Sequence, residues 1–307
     1  MDLRMTAHRA ATPPPPEPTC PGPVETPRRP VLELPRGSVD AHCHVFGPVD
    51  AFPYAEGRAF TPPEAPFGRL LALHALLGLD RGVIVQSACH GTDHSALLDA
   101  LARGAGRYRG VALITPDTPP AAVQELHEAG VRGARLHFTP HLGPAPTTDH
   151  IRAVVDRIRP YDWHIALHVA GDGVAAYEGM IRALPLTVVV DHMARVDLAQ
   201  GLDSPAVHAL RRLLDGGRVW VKLSAADRLA LRPPAMDDAA GLAAVLAAHA
   251  PDRVLWGTDF PHPNTHGFMP DEGDLVDLLA VIAPGPADRH RLLVENPVRC
   301  FDFEPAG

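Results

Sequence analysis

From Ser38 onward the chain repeats one alternation eight times: a short run rich in β-branched residues, then a longer stretch with apolar positions at helical spacing. The strand candidates are Val39–Val45, Gly82–Gln86, Tyr108–Ile114, Gly133–Phe138, His164–Val169, Thr187–Asp191, Val219–Leu223 and Arg253–Gly257. Between them lie amphipathic stretches such as Leu70–Leu77, Ser95–Ala102, Ala121–Ala129, Ile151–Ile158, Ala175–Leu184, Ala206–Leu214 and Gly241–Ala248, and Leu275–Ile282 follows the last strand. Strands that alternate with helices pair in parallel, and eight such units close on themselves as an α/β (β/α)8 TIM barrel. An open doubly wound sheet is the competitor. It would carry a glycine-rich phosphate turn after its first strand, and no G-x-G-x-x-G stands near Val39–Val45.

A chain of 307 residues suffices for one such barrel, and no Pro/Ser-rich linker divides it after Ser38. Residues 38–307 are therefore read as a single domain, preceded over 1–37 by a disordered proline-rich tail. That tail holds Pro13–Pro16 and lacks the continuous apolar segment of a secretory signal. With 46% hydrophobic residues there is material for a sizeable core. A net charge of −8 argues against a general nucleic-acid binder, which needs a basic face. No apolar run approaches the ~18 residues that would span a bilayer. Cys20, Cys43, Cys89 and Cys300 lie far apart without C-x-x-C spacing, so neither a zinc knuckle nor a disulfide framework is expected, and a reducing cytoplasm fits. Homo-oligomers are common among such barrels, and the sequence leaves that open.

In a (β/α)8 barrel the site is built at the C-terminal ends of the strands. Here those ends carry Asp40 to His44, then Arg135 and His137, His168, Asp191 and His192, Lys222 and Ser224, and finally Asp259. In His42-x-His44 both imidazoles point the same way, because strand side chains alternate faces, and Cys43 then turns to the helix layer as a packing residue. Such a pair alone is a weak signal. Its weight comes from His168, His192 and Asp259 following at the right strand ends in the right order. Of the remaining groups, His74, His127, His208, His249 and His290 read as surface residues, while His90 and His94 stand beside the mouth. Cys89 reads as a pocket wall, since nothing local would lower its thiol pKa. Lys222 reads as solvent-facing or salt-bridged, and Trp163, Trp220 and Trp256 as core.

This order of residues resembles the amidohydrolase superfamily, with its His-x-His on strand one, a His on each of strands five and six, and an Asp after strand eight. Asp40–Pro48, Val85–Asp93, Val190–Met193 and Gly257–Asn264 are similar, within it, to the 2-pyrone-4,6-dicarboxylate lactonase group, from about Ser38 to Phe303. The resemblance implies hydrolysis of a small anionic lactone: Asp259 as general base on water, His42, His44 and His192 polarising the carbonyl, and Arg135 and Arg228 gripping a carboxylate. Imidazole donors on rigid strands suit the oxyanion that forms, and arginine offers paired donors to a carboxylate. Ser87, Phe60, His141 and His262 are expected to complete the substrate pocket. At Phe60, Ala88 beside Ser87, His141 and His168 the chain departs from the group's pattern, each time losing a contact to carboxylate. A different anionic lactone is therefore expected, with one carboxylate or a differently placed acid such as a sulfonate.

Cofactor use divides two ways. The lactonase group implies none, whereas His168 restores the strand-five ligand of metal-dependent relatives, so that His42, His44, His168, His192 and Asp259 could hold one Zn²⁺ or Mn²⁺. A metal-dependent decarboxylase of the aminocarboxymuconate semialdehyde type, and a non-catalytic metabolite-binding barrel, are the competing functions.

Overall fold

The computed structural model describes residues 17–304. Eight strands lie in sequence order and pair in parallel: β1 (Val39–Cys43), β2 (Arg81–Val85), β3 (Tyr108–Ala112), β4 (Val131–His137), β5 (His164–His168), β6 (Val188–Val190), β7 (Val219–Lys222) and β8 (Val254–Leu255). Backbone bonds join β1 to β8 and the loop after it: Ala41 N–H to Trp256 O (2.9 Å), Asp259 N–H to His42 O (2.8 Å) and His44 N–H to Phe260 O (2.7 Å). The expected barrel is therefore present.

The period of two sorts each strand's side chains between two cores. On β5, Ile165 and Leu167 face the helices, while Ala166 joins Val39, Ala41, Val83, Val85, Val111, Val189, Trp220, Leu255, Phe301 and Phe303 inside the barrel. Gly133 leaves room there for the His164 ring, since a Cβ at this position would stand 2.3 Å from it.

The helices form by ordinary signals. In Pro205–Asp215, Ser204 caps the start by accepting the Val207 N–H, proline occupies the first turn, and Val207, Leu210, Leu213 and Leu214 make a buried stripe. Each such aliphatic side chain contributes roughly 1.5–3 kcal/mol on full burial. Two expected helices are divided: Ala175–Leu184 becomes Gly173–Ala176 and Glu178–Ala183, and Leu275–Ile282 becomes Glu272–Asp277 and Leu279–Ile282.

Residues 17–37, assigned above to the tail, lie as an extended strap on the barrel. Asp277 accepts the N–H groups of Val31 and Leu32, Asp271 accepts that of Arg28, and the Arg28 guanidinium reaches Asp274 and Asp277. Cys20, within this segment, is buried. Pairing with acidic side chains more than two hundred residues away holds it, which no local pattern reveals. Pro13–Pro16 fall outside the described residues.

Candidate active site

The mouth is organised by an irregularity in β1. Asp40 pairs with Gly82 and Cys43 with Ile84, so β1 spends one residue more than β2 over this span. This β-bulge turns both Ala41 and His42 inward and leaves Asp40 and Cys43 facing the helices. Simple alternation thus reached the right outcome for His42, His44 and Cys43 while missing the bulge.

Asp40 pins it. One oxygen accepts the N–H groups of His42 and Thr258, each at 3.0 Å; the other accepts the Thr258 hydroxyl at 2.6 Å and lies 3.2 Å from His74 Nε2. His74, expected at the surface, is instead buried between Asp40 and the Tyr108 hydroxyl, 2.9 Å from its Nδ1. A polar residue on a helix's buried face needed that partner, and only the fold supplies it. Gly257 lets the β8 end approach, because a Cβ there would stand 2.4 Å from His42 N.

Asp259 sits in left-handed backbone, φ 63°, at the centre of the mouth. Its Oδ1 lies 3.3 Å from His44 Nε2, 3.7 Å from His42 Nε2 and 3.8 Å from His192 Nε2. Its Oδ2 takes Arg228 Nη2 at 3.0 Å. Burial would raise this carboxyl's pKa, but His192, Arg228 and His44 outweigh it and hold the group well below the usual carboxylate range. Burial holds His192 down to about 3, so its ring is neutral at neutral pH, with Nδ1 2.8 Å from Ser224 Oγ. Beneath them Asp191 is fully buried between Lys222 Nζ (3.2 Å) and Arg135 Nε (2.9 Å).

After β6 the chain makes a left-handed turn, with φ of 55°, 49°, 55° and 46° at His192, Met193, Ala194 and Arg195. Such backbone costs roughly 1–2 kcal/mol per residue. It brings both His192 and Arg195 to the pocket wall. Arg195 went unnoticed in the sequence, where nothing distinguishes it from a surface arginine.

The pocket measures about 190 Å³ and is lined by His44, Phe60, Ser87, Arg135, His141, His168, His192, Arg195, Arg228 and Asp259, with Pro263 and Asn264 at its edge. Nearly all the residues expected from the sequence thus meet there. His42 closes the site from below.

His262 does not reach the pocket. Its ring has no exposed surface and faces Glu272, with Nε2 3.6 Å from Oε1. The bend at Asp259–His262 points it back into the helix layer, so the expected substrate contact is withdrawn. Burial would lower its pKa, but Glu272 and Asp227 raise it. Cys89 is a buried wall, its thiol pushed up to about 12 by burial. Lys222 is salt-bridged but not solvent-facing.

Among the described residues, His42, His44 and Asp259 form one group with ligand-type atoms close enough for a metal, and His42, Asp191 and His192 a second. His168 belongs to neither. Its Nδ1 lies 3.4 Å from His137 Nδ1, and the ring lines the pocket. A third group, Asp40, Cys43 and His74, lies on the helix side, where Asp40 is already bonded. Buried Lys222 and Arg135 and half-buried Arg228 stand beside these groups, paired with Asp191 and Asp259.

An inward His-x-His on β1, a histidine at the end of β5, one after β6 and an aspartate after β8 match the pattern expected from the sequence, and the amidohydrolase family model matches residues 39–303. The chain belongs to that family. It is 40% identical to a 2-pyrone-4,6-dicarboxylate hydrolase of Comamonas testosteroni, over 90% of this chain and 93% of that protein. It is 38% identical to a 4-sulfomuconolactone hydrolase of Hydrogenophaga intermedia, over 87% and 89%. An apo crystal structure of an Agrobacterium tumefaciens protein superposes with a TM-score of 0.81 at 30% identity, covering 90% of this chain and all of that one. Among the described residues no helix is long and apolar enough to cross a membrane.

Proposed function

We propose that this protein hydrolyses a small lactone bearing a carboxylate or sulfonate, without a metal ion, in the cytoplasm. The observation that carries the reading is Asp259 placed among three imidazoles and an arginine in a pocket with room for one small ring. Similarity to hydrolases of a pyrone dicarboxylate and of a sulfomuconolactone supports the reaction class.

In the reaction Asp259 takes a proton from water as the oxygen attacks the lactone carbonyl. The charge that develops on the carbonyl oxygen is met by imidazole N–H donors from His42 and His192. The ring C–O bond then breaks, and the proton held by Asp259 passes to the departing oxygen, giving a ring-opened acid. The Arg195 side chain makes no ion pair or hydrogen bond among the described residues and lines the pocket, so it is the first candidate for the substrate's anionic group. Arg228 is the second. An anion that draws its guanidinium away from Asp259 returns basicity to that carboxylate. Arg135, held on Asp191, serves to keep the floor charged and in place.

The two positive charges of a divalent ion would add to three cations facing two carboxylates, which supports the metal-free reading. The test is a panel of carboxylated pyrones and of carboxylated and sulfonated muconolactones, assayed by ring absorbance with metal content measured before and after chelation. Ring opening unaffected by metal removal is the expected result. Activity that needs added metal, or release of carbon dioxide in place of a ring-opened acid, overturns it.

A further inference from the structure

Lys222 stands on the last inward position of β7 with no exposed surface, its ammonium 3.0 Å from His42 Nδ1 and 3.2 Å from Asp191 Oδ1. An ammonium has three donors and no acceptor, so the ring nitrogen beside it must present a lone pair. His42 Nε2 is buried, aimed at the reacting space, and has no hydrogen-bond partner among the described residues. We propose that Lys222 is a positioning residue that fixes the tautomer of His42, leaving the ring's hydrogen on Nε2, where it serves as a donor to the lactone carbonyl and cannot ligate a metal.

His44, two residues along the same strand, provides the contrast. Its Nδ1 lies 2.6 Å from the Val85 carbonyl, which only accepts, so the hydrogen is on Nδ1. That is the arrangement of a metal-ligating histidine, whose far nitrogen donates to a carbonyl or carboxylate. His42 has a competing partner of that kind in Asp191 Oδ1, 3.3 Å from Nδ1. That oxygen makes no well-angled hydrogen bond to the ring or to the ammonium among the described residues, whereas Lys222 Nζ lies nearer to Nδ1, at 3.0 Å, and bonds it. The two histidines of one motif thus differ at Nδ1, a hydrogen in His44 and a lone pair in His42, and the difference is imposed from a strand 180 residues away.

The inference rests on the metal-free reading of the site but is read out without substrate. Nitrogen-15 spectra of histidine-labelled protein, with the His42 signals assigned by their loss in His42→Gln, report which nitrogen carries the hydrogen. Expected is a lone-pair Nδ1 and a protonated Nε2 at His42; the reverse pattern overturns the proposal. In Lys222→Met, Asp191 becomes the partner of Nδ1, so the tautomer should reverse and the zinc affinity of the folded variant should rise at least tenfold. A folded variant with His42 unchanged and natural zinc affinity also overturns it. Should the variant fail to fold, the spectrum of the natural protein decides alone. A protein that opens no lactone yet shows the expected tautomer leaves this inference standing while the proposed function falls.

Discussion

The lower and upper halves of the barrel interior are filled in opposite ways by the same eight strands. Below, Val39, Val111, Ala166, Val189, Trp220 and Leu255, with Phe301 from the helix Asn296–Phe301, make an apolar packing in which the Trp220 indole and the His164 ring are the polar exceptions. Above, one or two residues further along those strands, stand Arg135, His168, Asp191 and Lys222, each requiring a specific neighbour. Lys222 joins the two halves, with Nζ 5.9 Å from the Phe301 ring and 3.0 Å from His42. The lower half stabilises through volume and burial, so it tolerates substitutions that conserve size. The upper half is held by compensation of charge, where loss of one partner strands another.

That division can be broken by substitution, beginning where the effect is largest. Asp259→Asn removes the base while nearly preserving shape, and turnover should fall about 10²–10⁴-fold with circular dichroism unchanged. A loss under tenfold would mean that another group activates water. Phe301→Ala at the floor should do the converse, costing about 3–5 kcal/mol in urea unfolding while kcat of the folded fraction stays within a few-fold. An equal loss of kcat would show that the two halves are coupled through Lys222.

Acid acts on both halves at once. Burial holds His137 and His192 in the upper half, and His164 in the lower, down to about 3. Unfolded, each would take up its proton near the ordinary histidine value of about 6.5. Between those limits the unfolded chain binds more protons, so stability is complete above about pH 6.5 and falls as pH drops toward 3. Each histidine contributes up to about 1.4 kcal/mol per pH unit in that window. Urea midpoints measured from pH 7 to 4.5 should decline with this slope, and a flat profile would remove the neutral-histidine picture. The smallest effect is expected at the rim. Arg195→Met should raise KM about 10–100-fold for an anionic lactone and change kcat less, as loss of a charge-assisted bond to the substrate. An unchanged KM would assign the anion to Arg228 alone.

How much was legible follows the same boundary. The strand runs and their order gave the barrel, and His42, His44, His192 and Asp259 were recognisable because their positions at strand ends are a one-dimensional pattern. Strand limits were less so. β8 was expected over Arg253–Gly257 and is only Val254–Leu255, because Thr258 and the residues around it bond to Asp40 and His42 rather than continuing the ladder. His74 and His262 were misplaced for a shared reason: a histidine's role depends on which carboxylate or hydroxyl it meets, and Asp40 and Glu272 are invisible as partners in the sequence. Arg195 was missed because its entry into the pocket depends on a left-handed turn that no glycine announces.

The sequence by itself determined the alternation of elements, the closure into a barrel and the side of that barrel on which chemistry is placed, since periodicity and strand-end position are local properties of the chain. Only the tertiary structure decided which partner each imidazole meets, which arginine side chain lines the pocket without an ion pair among the described residues and which histidines are buried away from it. Those outcomes depend on contacts of about 3 Å between residues brought together from separate strands, where one extra residue in β1 or one cation on β7 reverses the answer.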